Sequence, residues 1–342
     1  MTSTKLLIKR SIKSAAAGAI STFGLRRNRP GFVNIVAYHH VVGDIAKVER
    51  DSYYGLVVSA ATFRRHCELL KTAFNVVSLE SAAPIVSGKR RSHRPLAAIT
   101  FDDGYLDLYD EAFPILKDLG LPATVFLPTD CIGHHTPLAH DRIFWLLKHA
   151  SERGIPIGPA LTRAAVPGNT SRLFAKAKYM PALSELLVYL PHIVRERAIA
   201  EMEKELPNIR PYPDEYRLLN WDQVREMAAG GISFGAHTAR HLVLTLETRD
   251  VARSEITASK QRIASEIDSD ATSFAYPNGE FDQTIRQLVA KAGFKIAVTT
   301  QKKINRPGTD LLALGRFSLC EESTRGIRGT FSADVANLRL NT

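Results

Sequence analysis

The chain reads as an α/β protein built on a parallel sheet, open or closed into a barrel, with helices outside it. Short apolar, β-branched runs alternate with longer runs whose apolar residues recur at helical spacing. Gly, Pro and Asn separate the two kinds of run, as expected where strands and helices take turns. A length of 342 residues accommodates one barrel-sized domain or two ordinary ones, and 45% hydrophobic with 23% charged residues is an ordinary globular composition.

Residues 1–30 form a basic amphipathic N-terminal segment. Lys5, Lys9, Arg10, Lys13, Arg26, Arg27 and Arg29 supply most of the net charge of +10, with no acid among them. Ile8, Ile12, Ala16, Ala19, Ile20 and Phe23 recur at helical spacing, a pattern that suits peripheral contact with an anionic membrane. The rival is an export signal, since a charged start precedes Ala15 to Ile20; Lys9, Arg10 and Lys13 interrupt its apolar core. No apolar run is long enough to span a bilayer. The charges lack interleaved aromatics or a known motif, so no nucleic-acid partner is expected. The expected location is the cytoplasm or the periphery of the inner membrane, with export as the alternative.

The domain proper is expected over 31–342. Phe32 to Tyr38 is the first strand, bounded by Pro30-Gly31. Ser59 can cap a helix with Phe63, Cys67 and Leu70 on one face. Leu96 to Phe101 is a strand, Leu106 to Leu119 a helix closed by Gly120 and Pro122, and Ala123 to Leu127 the next strand. Residues 131–219 break the rhythm, with helical patches at Ile143–Ala150 and Ile193–Glu205. They read as a helical insertion between two βα units, shaping a substrate groove or a contact surface. Asn220 then caps the helix Trp221–Ala229, Gly230-Gly231 end it, and Ile232 to Ala236 is a strand. Helix Val251–Ile267, strand Ser273–Tyr276, helix Phe281–Ala292, strand Lys295–Thr299 and a last strand near Leu314–Leu319 complete the series. Cys67, Cys131 and Cys320 are far apart without CxxC spacing, so no disulfide framework is expected.

Two motifs carry chemistry. Thr100-Phe101-Asp102-Asp103-Gly104 closes a strand with adjacent carboxylates, and His237-Thr238-Ala239-Arg240-His241 follows another. Neighbouring side chains diverge on a strand, so the two aspartates suit separate tasks: one ligates a metal, the other handles a proton from the water that such a site activates. On a helical turn, the His spacing would put both imidazoles on one face, fit for one ion. Together they indicate a metal-dependent hydrolase. His134, His135, His140 and Asp141 read as a solvated polar loop, with substrate contact as the alternative.

These residues resemble the polysaccharide deacetylases, carbohydrate esterases related to chitooligosaccharide deacetylase. The TFDDG strand end and the H-[ST]-x-x-H sequence are similar to the family's first two motifs. Phe274-Ala275-Tyr276-Pro277-Asn278-Gly279 resembles the third, and Ala37-Tyr38-His39-His40-Val41 the YHxV strand of enzymes acting on bacterial surface polysaccharides. The resemblance spans roughly 32–130 and 220–320, leaving out the insertion and the first thirty residues.

It implies a distorted (β/α) barrel of the polysaccharide deacetylase type with a helical insertion. Asp103, His237 and His241 would hold a divalent metal, Zn2+ above all, with Co2+ or Ni2+ as substitutes. Asp102 would be the general base, and the Tyr276 backbone N–H would stabilise the oxyanion. His39 would be the general acid, because the late Leu-x-x-His motif of many relatives is absent. The third motif also lacks the arginine that orients the catalytic aspartate, a place that Arg316 can take. The implied activity removes the N-acetyl group of N-acetylglucosamine-type sugars in a surface polysaccharide or lipid-linked oligosaccharide. An O-acetyl esterase or deformylase on a glycan, and a catalytically lapsed carbohydrate-binding protein, are the alternatives.

Overall fold

The computed structural model describes residues 30–48, 56–167 and 188–341. The basic segment expected over 1–30 therefore lies outside the described residues except for Pro30, as does part of the insertion. Among the described residues there are ten strands: Val33–Tyr38 (β1), His40–Val42 (β2), Val57–Ser59 (β3), Asn75–Val76 (β4), Leu96–Phe101 (β5), Thr124–Leu127 (β6), Ser233–Ala236 (β7), Ser273–Ala275 (β8), Ile296–Val298 (β9) and Phe317–Ser318 (β10). The main sheet runs β10-β1-β5-β6-β7-β8-β9, with β4 beside the start of β5. Every strand pairing in it is parallel. Leu314, just ahead of β10, makes a parallel bridge to Val298 of β9. The sheet thus curls until its two edges touch through one short segment, a distorted barrel. β2 and β3 form a separate parallel pair.

Alternation along each strand builds two cores. Val33, Ile35, Leu96, Ala98, Phe126, Ala275, Ile296 and Val298 point into the barrel. Their strand neighbours Val36, Tyr38, Ala97, Ile99, Phe101, Val125, Leu127, Phe274 and Ala297 point outward beneath the helices. The outer layer includes Ala60–Ala73 (α1), Phe113–Leu119 (α3), Trp221–Ala229 (α7), Arg249–Ile267 (α8) and Gln283–Lys291 (α9). Leu79–Val86 (α2) is different: Leu79, Ala82, Ile85 and Val86 join the inner cluster with Val33 and Leu96, closing the barrel where its strands begin. The sequence reading omitted this helix, whose internal Pro84 masks its pattern.

Local signals set most boundaries. Ser59 caps α1 by accepting from the Thr62 N–H, Asn220 and Gln223 form a reciprocal capping box at α7, and Gly120 ends α3 in the left-handed conformation. The expected helix 106–119 is instead a π-helical turn, Leu108–Ala112, followed by α3. In the interval 131–219, the described helices are Ala139–Glu152 (α4), Gly158–Arg163 (α5) and His192–Glu205 (α6). Ile143, Leu146, Leu147, Leu161, Ile199 and Met202 from these helices form a hydrophobic cluster of their own. No helix of the described residues is long and apolar enough to cross a membrane.

Candidate active site

The carboxyl ends of β1, β5 and β7 converge on one cavity of about 380 Å³, within the ~300–1,000 Å³ usual for small-ligand sites. Asp102 continues β5, its N–H donating to the Tyr38 carbonyl at 3.0 Å. Its carboxylate takes a bidentate pair of hydrogen bonds from Arg316, Nη1 to Oδ1 at 2.7 Å and Nη2 to Oδ2 at 2.6 Å. Arg316 is itself 2% exposed; its Nε donates to the Thr299 carbonyl at 3.0 Å and its Nη1 to Thr100 Oγ1 at 3.3 Å. Burial alone would raise the Asp102 carboxyl. Arg316, with His237 and His39, outweighs it and holds the group below its ordinary value. Asp102 is therefore an ionised, fixed carboxylate at neutral pH.

Asp103 leaves the strand in a turn. The Gly104 N–H bonds back to the Asp102 carbonyl at 2.9 Å, and Asp103 between them has φ +71°. A γ-turn with positive central φ is the rare, strained variety. Gly104 follows at φ +69°, and a Cβ there would come within 2.7 Å of the Leu127 side chain, so glycine is required on both counts. The turn swings the Asp103 carboxylate away from Asp102 and toward the histidines.

The His-x-x-x-His segment is not on a helical turn, contrary to the sequence expectation. Residues 237–243 are irregular, with Thr238 at φ +64° and His241 at φ +57°. The buried Glu255 of α8 shapes this loop. Its carboxylate accepts from the Ala239 N–H at 3.1 Å, the Arg240 N–H at 2.8 Å and Arg240 Nε at 2.7 Å. The Thr238 hydroxyl also accepts from the Leu242 N–H. The loop brings His237 Nε2 to 3.5 Å and His241 Nε2 to 3.2 Å from Asp103 Oδ1.

This trio fits a divalent metal on three counts. One ligand atom from each of Asp103, His237 and His241 lies within 4.8 Å of the other two, and all three residues are buried. Asp103 Oδ1 accepts no hydrogen bond in good geometry, an orphan anion that an ion would satisfy. His237 Nδ1 lies 2.8 Å from the Ala275 carbonyl; a carbonyl can only accept, so Nδ1 carries the proton and Nε2 presents its lone pair. Burial pushes the His241 imidazolium down to about 4 against the pull of Asp103, so this ring is neutral at neutral pH.

His39 stands at the end of β1, its Nε2 4.0 Å from Asp102 Oδ2. Burial pushes it below its ordinary value, against the opposing charges of Asp103 and Asp102. Tyr276 requires a correction. Its N–H is already engaged by the Val298 carbonyl at 3.2 Å, because this residue continues the β8–β9 ladder. The N–H assigned to the oxyanion by resemblance is not free, and Tyr276 is fully buried. Asn278, at φ +56°, and Thr300 reach the cavity wall instead.

The polar residues weighed as a loop divide. His134 and His135 are exposed. His140 and Asp141 instead form the first turn of α4 and line the cavity. Tyr105 OH lies 2.8 Å from His140 Nε2 and 2.9 Å from Asp141 Oδ2, and His140 Nε2 lies 3.9 Å from Asp103 Oδ2. Behind them His40 stacks on Tyr105 at 3.7 Å and pairs with Asp107 at 2.7 Å. Sequence reasoning had no cue for Glu255, Tyr105 or Asp107, which act through distant partners. Phe144, Val188 and Tyr189 complete this side of the wall.

With this geometry in place, comparison with known proteins converges. A family model described as polysaccharide deacetylase matches residues 89–163 and 192–297, more than half of the chain. The match breaks within the 131–219 interval and does not reach His39 or Arg316. Among solved structures, IcaB from Ammonifex degensii is similar with a TM-score of 0.59 at 16% identity, covering 91% of this chain and 97% of that one. The Streptococcus pyogenes deacetylase PplD, solved in complex with acetate, gives 0.57 at 19%, covering 88% and 96%. A de-N-acetylase from Aggregatibacter actinomycetemcomitans gives 0.53 at 21%, covering 86% and 96%. At these identities the likeness speaks for the barrel fold.

Proposed function

The chain belongs to the polysaccharide deacetylase family, hydrolases acting on N-acetyl amide bonds, and on that premise we propose that it is a metal-dependent deacetylase of N-acetylglucosamine-type sugars in a surface polysaccharide or lipid-linked glycan. The observation that carries this reading is the division of labour between adjacent aspartates. Asp102 is locked by Arg316, and Asp103 is turned away, its Oδ1 facing the Nε2 atoms of His237 and His241. Two names among the proteins of like fold, a de-N-acetylase and a deacetylase holding acetate, agree with it.

Asp103, His237 and His241 would hold the ion, with Zn2+ suited to a mixed carboxylate and imidazole set. Such an ion supplies Lewis acidity toward the acyl oxygen and toward water. The remaining chemistry belongs to the chain. Asp102 accepts the proton of the attacking water; Arg316 keeps its carboxylate ionised and fixes its direction. The amide nitrogen must leave as an amine, so it needs a proton: His39, held toward its neutral form by burial, would take up the proton that Asp102 draws from water, across 4.0 Å, and pass it to the nitrogen. Phe144, Val188 and Tyr189, with the polar rim of His140 and Asp141, hold the sugar and shed water from the cavity. The test is hydrolysis of an N-acetylglucosamine oligomer, with acetate and free amine measured together. Equal amounts of both support the proposal. Acetate without amine, from an O-acetylated sugar alone, would make the protein an esterase. No release from any acylated glycan would leave a carbohydrate-binding protein.

A further inference from the structure

A cluster of exposed basic side chains lies at the end of the barrel opposite the cavity. Between α2 and β5 the chain reads Ser87-Gly88-Lys89-Arg90-Arg91-Ser92-His93-Arg94-Pro95, with all five basic side chains exposed and no acid. Backbone contacts place this loop where the strands begin. The Asn75 N–H donates to the Pro95 carbonyl, the Leu96 N–H to Phe32, and the Gly308 N–H to Val86. Arg306, exposed on the adjoining loop, lies 5.5 Å over the Phe32 ring. Lys89, Arg90 and Arg91 make no ion pair with any described residue. The chain enters the fold at the same place, Gly31 facing Pro307, and the residues before Pro30 carry seven Lys or Arg and no Asp or Glu.

We propose that this end of the barrel is a docking surface for the anionic headgroups of a lipid bilayer, and that it holds the catalytic cavity facing away from the membrane. Charge complementarity carries the choice of partner, since polybasic segments are drawn to anionic leaflets. The neighbouring sequence adds what a lipid interface uses and a nucleic acid does not, namely Ile8, Ile12, Ile20 and Phe23 at helical spacing. The loop offers no aromatic for base stacking. β5 spans the distance between the two ends in six residues, about 20 Å at ~3.3 Å per residue. That exceeds the ~8 Å screening length at physiological salt, so the catalytic carboxylates do not oppose docking. Docked this way, the enzyme reaches sugars well clear of the headgroups rather than the one joined to the lipid.

The experiment is vesicle co-sedimentation of the full chain, using phosphatidylcholine alone and phosphatidylcholine mixed with phosphatidylglycerol. The wild type should sediment with the anionic vesicles only, and less so as salt rises. The triple variant K89Q/R90Q/R91Q should bind about 100-fold more weakly, at roughly fivefold per basic residue, with an unchanged unfolding midpoint. A second variant, R26Q/R27Q/R29Q, should weaken binding further when combined with it. Equal binding to neutral vesicles, or wild-type affinity in K89Q/R90Q/R91Q, would overturn the proposal. Tighter binding to double-stranded DNA than to anionic vesicles at equal salt would also overturn it.

Discussion

Replacing Arg316 by Met tests how the site is held together. The guanidinium is buried and gives Asp102 two hydrogen bonds at 2.7 and 2.6 Å. Methionine keeps much of the side-chain bulk but leaves the Asp102 carboxylate buried without its counter-charge. Breaking one partner of such a pair costs about 3–5 kcal/mol, roughly a 10²- to 5 × 10³-fold shift in the folding equilibrium. The carboxyl also changes direction. In the wild type Asp102 lies below its ordinary value of 3.8, so its contribution to stability is present above that pH and is lost as pH falls through the folded value. In the variant, burial is no longer countered by Arg316, the largest opposing charge, and raises the group. Its contribution is then present in acid and is lost as pH rises through the raised value. The stability gap should therefore be widest near neutrality and close in acid, as read by denaturant unfolding across pH. Deacetylation at neutral pH should fall by about 10²- to 10⁴-fold, the worth of a general base, and recover partly toward alkaline pH as the carboxyl ionises. Arg316→Lys, which restores the charge without the fork, should recover part of both losses. A variant with wild-type stability and rate at neutral pH, or with a gap that widens in acid, would refute this account of Asp102.

Other substitutions separate the remaining roles. Asp102→Asn should keep its metal while losing ~10²-fold or more in rate, whereas His237→Ala should lose the metal. Equal metal loss in both, by elemental analysis, would show Asp102 misassigned. Glu255→Ala should weaken metal affinity by about 10- to 100-fold, as expected of a residue that orients ligands from behind, and competition with a chromophoric chelator measures this. Ile199→Ala in the cluster of α4, α5 and α6 should cost about 2–5 kcal/mol. Hydrogen exchange should show α4, α5 and α6 losing protection while the β1 and β5 amides keep theirs; uniform loss would mean that this helical cluster and the barrel unfold as one. Gly235→Ala would set a Cβ 2.6 Å from Phe126 inside the barrel, and should destabilise by roughly 1–3 kcal/mol.

The parallel sheet was legible because its longer strands are apolar runs bounded by punctuation, Pro30-Gly31 before β1 and Gly230-Gly231 before β7; its closure into a barrel followed from the family resemblance alone. The strand-end aspartates and both histidines were legible because a motif places them near one another in sequence. The third motif lacks its arginine, a place that Arg316 takes from a distant strand by pairing with Asp102. What escaped lies between distant elements. β2, β3 and β4 are two or three residues long, below the length at which alternation can show. The His237–His241 spacing suggested a helical turn, but Glu255, fifteen residues onward, imposes an irregular loop through three hydrogen bonds that no local pattern encodes. The Tyr276 N–H was expected at the oxyanion, yet it remains in the β8–β9 ladder, a register that only the folded pairing with Val298 decides.

The most direct test of the central claim is metal reconstitution. Stripped of metal by chelation, the wild type should release neither acetate nor amine from an N-acetylglucosamine oligomer. On titration with Zn2+, activity should rise linearly and saturate at a single equivalent per chain, while Asp103→Ala and His241→Ala stay flat with the barrel intact by circular dichroism. Full activity in the stripped protein, or saturation unaffected by loss of Asp103 and His241, would contradict the assignment of the site.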